Sequence, residues 1–264
     1  MKKNFFYIAI AFILFTSVSS CKKEDTGLTG NGPLTLHFDN RVGNDNFIMN
    51  TDVTIESGET INVSNLKYYV SNFVLVKEDG SEYTVPQEGN YFLIDESVDS
   101  SLEVTLQNIP AGNYTSIKYI LGVDSLRSTM DVSQRTGALD PAGAGSDMYW
   151  SWNSGYIFFR IDATSPASTE VGNMCMFHVG GYGGYSTPSA NNIRNITLSA
   201  PQTIHVRENE NPEVHIFADI LQAFKSPQVY SIATDGAVFH MAPGSGTKMA
   251  NNYVDMFTID HVHE

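Results

Sequence analysis

Cysteine is nearly absent from this chain. Only Cys21 and Cys175 occur in 264 residues, so no disulfide framework of the kind that staples small secreted domains can form. Cys175 lies in the apolar run Met174-Cys175-Met176-Phe177. That setting predicts a buried thiol, with ligation of a soft metal as the alternative. Positive charge is scarce as well: 15 Lys and Arg stand against 29 Asp and Glu, a formal net charge of −14. An excess of that sign repels nucleic acid and anionic lipid but is compatible with a cation. After an apolar run from Phe5 to Phe15, no second run reaches the roughly 20 residues a membrane-spanning helix needs. Catalytic signatures are missing too. There is no nucleophile elbow, no P-loop and no HExxH. The glycines from Gly180 to Gly184 lack the strand-turn-helix setting of a phosphate loop. With no readable nucleophile–base pair, the expectation is a protein that is not an enzyme.

What is present begins at the N-terminus. Lys2 and Lys3 precede the apolar run, which is short for a span and suited to a signal peptide. Val18-Ser19-Ser20-Cys21 then resembles the lipobox of bacterial lipoproteins, in which the cysteine is acylated and becomes the first mature residue. The expected organisation is a signal peptide over 1–20, a lipidated Cys21 with a flexible tether over 21–33, and one domain over 34–264. Several acyl chains give durable membrane anchoring where one does not. Lys22-Lys23-Glu24-Asp25 resembles the surface-export signal of Bacteroidetes lipoproteins, favouring the cell surface over the periplasmic face of an outer membrane.

Beyond the tether, strand signals dominate. Leu34–Phe38, Val53–Ile55, Leu66–Val70, Phe73–Val76, Val104–Leu106, Ser116–Leu121, Tyr156–Ile161, Cys175–Val179, Ile193–Leu198, Thr203–Val206 and Glu213–Ile216 are short β-prone runs bounded by turn residues. They predict an all-β fold, an antiparallel β-sandwich with long irregular loops and one or two short helices. The helices are expected near Asp219–Phe224 and Gly246–Phe257. Two irregular stretches, Gly122 to Trp152 and Gly180 to Tyr185, are long enough for a compact domain to make them functional candidates.

Seven histidines follow the leader: His37, His178, His205, His215, His240, His261 and His263. Imidazole suits copper, zinc and nickel, and the Irving–Williams order favours copper. His261 and His263 sit at i and i+2, so a strand would turn both to one face as a possible chelate. His205 and His215 read as lone strand histidines. The two tryptophans, Trp150 and Trp152, also share a face in extended chain. They are either an aromatic ledge or a redox-active, modifiable pair. Asp124 and Asp140, in the glycine-rich stretch, would suit Ca²⁺ as oxygen ligands, but turn hydrogen bonds are their commoner job.

Several segments together resemble the MbnP-like copper-binding family. They are Leu66-Lys67-Tyr68-Tyr69-Val70-Ser71-Asn72, Gly122-Val123-Asp124-Ser125, Gly137-Ala138-Leu139-Asp140-Pro141, Trp150 to Tyr156, Phe177-His178-Val179-Gly180-Gly181, and Met256 to His263. The resemblance implies a β-sandwich that binds copper through histidines and, in some members, through a tryptophan oxidised to kynurenine by a di-haem enzyme of the cytochrome c peroxidase type. Carried over, it points to His178 with His37 or His261, together with Trp150 or Trp152. Here Trp152 stands where one relative has a ligand histidine, and Cys175 lacks the partner that many relatives carry. A module with the same fold but no metal, binding glycans through Trp150, Tyr182 and Tyr185, is the competing expectation.

Overall fold

The alternation in Leu34–Asn40 resolves into an inside and an outside. Leu34, Leu36 and Phe38 are fully buried while His37 and Asp39 face outward, as period-two side chains on a one-sided sheet must. The computed structural model describes residues 28–150, 155–240 and 244–264. Cys21, the leader and most of the expected tether fall outside these residues, as does Trp152. Among the described residues no helix is long and apolar enough to cross a membrane.

In chain order the strands are β1 (Asn31–Val42), β2 (Asp45–Asn46), β3 (Asp52–Thr54), β4 (Thr60–Lys77), β5 (Glu82–Thr84), β6 (Tyr91–Asp95), β7 (Glu103–Pro110) and β8 (Gly112–Leu121). They continue with β9 (Tyr149–Trp150), β10 (Gly155–Thr164), β11 (Met174–Gly180), β12 (Arg194–Val206), β13 (Glu213–Asp219), β14 (Val238–His240) and β15 (Phe257–His263). β1 begins at Asn31, inside the stretch read as tether. A five-stranded sheet runs β15-β13-β1-β2, with β7 on β1. A ten-stranded sheet runs β12-β8-β4-β10-β11-β14, with β3, β5 and β6 on β4 and β9 on β10.

Both sheets are mixed. β1 pairs β13 in parallel and β11 pairs β14 in parallel, while the other ladders are antiparallel. The sandwich expected from the sequence is therefore present, but it is not purely antiparallel. The parallel pairs join strands far apart in the chain, so no hairpin dictates their direction.

Two apolar clusters flank the larger sheet. Between the sheets, Phe38, Tyr68, Tyr119 and Phe257 meet edge to face. On the opposite face, Tyr69, Val123, Leu139, Met148, Trp150, Tyr156, Phe158 and Tyr182 form a second buried cluster. Tyr68 and Tyr69 are neighbours on β4, so their rings enter different clusters. The stretch from Gly122 is the lid of that second cluster. It folds into α1 (Ser125–Thr129) and three 3₁₀ turns, Val132–Gln134, Gly137–Leu139 and Ser146–Met148. Two buried tyrosines pin it: Tyr69 Oη donates to Ala138 O at 2.8 Å and Tyr156 Oη to Leu139 O at 2.7 Å.

The helices expected later in the chain form where the residues suggest. Ile220–Phe224 is 3₁₀, capped by Asp219, which accepts from Leu221 N. After a short α2 (Ile232–Asp235), α3 covers Ser245–Asn252 and a 3₁₀ turn follows at Tyr253–Met256. Cys175 is fully buried, and burial pushes its thiol up to about 11. That is the inert interior cysteine its apolar neighbours predict.

Candidate metal centre

β11 carries His178 in the second half of its run, and β14 lies parallel to it with His240 directly in register. Registered partners on adjacent strands point the same way, so the two imidazoles meet. Their ring centroids are 5.1 Å apart at an interplanar angle of 78°. Trp150 sits against His240, with centroids 6.4 Å apart.

Gly180 makes the approach of Trp150 possible. A Cβ there would lie 2.6 Å from Trp150 Cζ3 and 2.4 Å from Tyr156 O, well inside contact distance. The glycine two residues beyond His178 is therefore a floor for the indole.

Asp162, on β10, fixes the orientation of His178. Its Oδ1 lies 2.7 Å from His178 Nε2. Its Oδ2 accepts from Asn65 Nδ2 at 2.8 Å and from Arg160 Nε at 2.8 Å. Burial opposes its charge, but the hydrogen bonds from His178, Asn65 and Arg160 outweigh that and hold the carboxyl far below its usual range. Arg160 also reaches Asp147, through both its carbonyl and its carboxylate, and Lys67 bridges Asp147 to Asp95. The charged chain thus ties the segment that delivers Trp150 to the strand beside His178.

With Nε2 held by a carboxylate, His178 presents Nδ1 as its free donor. A carboxylate on the far nitrogen is the usual outer support of a metal-bound imidazole. His240 is kept below the ordinary imidazole value, first by burial and then by the neighbouring His178. Loss of its proton is what ligation requires. Two such imidazoles beside an aromatic ring are a nitrogen donor set suited to copper.

The remaining sequence candidates fall elsewhere. His37 and His261 lie on the five-stranded sheet, on β1 and β15, and join His215 and His263 rather than His178. His178 therefore pairs with His240, which sequence reasoning did not single out, and with neither of its expected partners. The separation has a simple cause: β11 and β1 belong to different sheets. The Ca²⁺ reading of Asp124 and Asp140 finds no cation geometry. Asp124 caps α1, accepting from Arg127 N at 2.9 Å, from Asn72 Nδ2 at 3.1 Å and from Tyr91 Oη. Asp140 accepts from Ala142 N at 2.8 Å. Among the described residues neither belongs to a group able to hold a metal. The aromatic platform expected for a glycan is not open either. Trp150 and Tyr182 are buried, and only Tyr185 is exposed.

Comparison with known proteins agrees with this architecture. None of the curated protein sequences matches the chain. Among solved structures it is similar to MbnP from Methylosinus trichosporium, with a TM-score of 0.53 and 16% identity, over 80% of this chain and 82% of that one. At that identity the likeness speaks for the fold. The family model described as MbnP matches residues 31–242, most of the two sheets and both residues of the His178–His240 pair, and so the chain belongs to the MbnP family.

Proposed function

We propose that this protein is a non-catalytic copper binder whose ion is held by His178 and His240 beside Trp150. The observation that carries the reading is the registered histidine pair, with Asp162 on the far nitrogen of one imidazole and an indole against the other. Family membership supports copper as the metal, as does the preference of imidazole sites for copper over other divalent first-row ions. Copper bound here supplies no step; the chain binds it, orients it and shields it with the Trp150 lid.

Oxidation of Trp150 or Trp152 to kynurenine would open the indole and expose an aniline nitrogen, a donor that tryptophan lacks. The oxidant would be two molecules of peroxide acting through a di-haem peroxidase-type partner, each giving one oxygen atom and leaving as water. Two oxygens add across the indole C2–C3 bond, and water then releases the formyl carbon as formate. The same proposal places the mature chain on an outer membrane, held by lipid on Cys21, where such a partner can reach it and the protein can acquire or handle copper.

One preparation from the native host tests these points together. Copper content should be stoichiometric and lost in His178→Ala. Intact mass should show removal of residues 1–20, acyl chains on Cys21, and one tryptophan that has gained an oxygen atom and lost a carbon atom. Wild-type protein free of copper after copper-replete growth would overturn the binding reading. A mass in which both tryptophans are unaltered would overturn the kynurenine alone, and one without cleavage and acyl chains would overturn the lipid anchor.

A further inference from the structure

The outer face of the five-stranded sheet carries a second group of histidines. β7, β1, β13 and β15 lie side by side, and their registers align Glu103, His37, His215 and His261 in one row. The adjacent Leu36, Val214 and Val262 are buried, so the row faces outward, with strands about 4.8 Å apart. The His37 and His215 rings stack at 4.8 Å and 9°, and the His215 and His261 rings at 4.4 Å and 17°. His263 comes alongside, 4.5 Å from His261 and 5.2 Å from His215. One ligand atom from each of His215, His261 and His263 lies within 4.8 Å of the others, and His37, Glu213 and His215 form an overlapping group.

The supporting carboxylates distinguish this from a chance crowd of imidazoles. Asp260 Oδ2 is 2.6 Å from His261 Nδ1, and Glu213 Oε1 is 2.7 Å from His215 Nε2. Each carboxylate engages one ring nitrogen and leaves the other for a ligand, the arrangement found behind metal-bound histidines. The free Nε2 of His261 is 2.9 Å from Nε2 of His263. That matches the edge, about 3 Å, of a coordination sphere with metal–nitrogen bonds of roughly 2.0–2.1 Å.

We infer that His215, His261 and His263 form a second metal site, for a divalent late transition ion, with Glu213 and Asp260 orienting the imidazoles and His37 closing the flank. Copper(II) leads zinc(II) on the order of affinities for nitrogen ligands. The site lies on the opposite sheet from His178 and is open to solvent through His263, so its ion exchanges readily.

Titration of the purified full-length chain with copper(II), and separately with zinc(II), tests the site by calorimetry and electron paramagnetic resonance. Wild type should take up one equivalent that His215→Ala/His261→Ala loses, with copper spectra showing coupling to several imidazole nitrogens. His178→Ala/His240→Ala should keep that equivalent, which separates this site from the one proposed above. His205→Ala, whose imidazole pairs with Glu264 outside the row, should leave uptake unchanged. His215 and His261 lie on the outer face of their sheet, and a cooperative denaturation transition verifies that each variant folds. Equal uptake by wild type and His215→Ala/His261→Ala would overturn the inference, as would no uptake by wild type beyond that of the row-deleted variant.

Discussion

At the residue scale, a few side chains prepare His178. Asp162 does not touch the proposed ion; it acts through the imidazole. Removing its charge while keeping its shape, in Asp162→Asn, should weaken copper binding by about 10- to 100-fold, the usual cost of losing such support. A competitive chelator titration measures this, and unchanged affinity would show that Asp162 is only part of the surface ion network. Gly180 makes a second, steric contribution. Gly180→Ala puts a methyl group into Trp150, and overpacking of that kind costs about 1–3 kcal/mol. Urea unfolding followed by tryptophan emission should show both the loss and a shifted Trp150 environment; a variant as stable as wild type would mean that the indole has room to move. His178 was legible in the sequence because it stands in a motif with its glycine floor. His240 was not, since nothing around Val238-Phe239-His240 marks it until β14 is laid beside β11. His215 failed to stand out for the same reason: its neighbours His37 and His261 come from strands far away in the chain.

At the scale of elements, the segment from Gly122 to Trp150 shows what sequence could not reach. It reads as irregular because its short helical turns carry no usable periodicity, yet tyrosine hydroxyls and Asp124 hold it closed over the second apolar cluster. Asp124 caps α1 and also bonds Asn72, which sits at a positive φ of 56° where β4 shifts register. Burial opposes its ionisation, but bonds from Tyr91, Arg127 N and Asn72 lower its pKa overall. A carboxyl lowered on folding adds stability above its unfolded value of about 3.9 and loses it as the pH falls. Asp124→Ala should therefore cost about 1–3 kcal/mol near neutrality. The gap to wild type should narrow as acid protonates Asp124 in the parent. Urea midpoints measured from neutral pH down to pH 3 check this; a gap independent of pH would assign the effect to packing instead. The later helices were more legible: both form within the stretches expected for them, Asp219–Phe224 and Gly246–Phe257.

At the scale of the whole molecule, strand patterning disclosed the sandwich, whereas the parallel pairs depended on long-range topology. The two sheets divide the histidines. The larger holds a sheltered pair under an aromatic lid, and the smaller holds an open row on its outer face. This division is why no single ligand set joins His178 to His37 or His261. The acidic surface, at a net charge of −14, favours approach of a cation to either place. The most direct test of the central claim is a crystal structure of copper-loaded protein from its native host, with anomalous differences collected at the copper edge. A peak between His178 and His240, beside residue 150, is the predicted result. Copper peaks confined to other positions, with none between those two imidazoles, would contradict it.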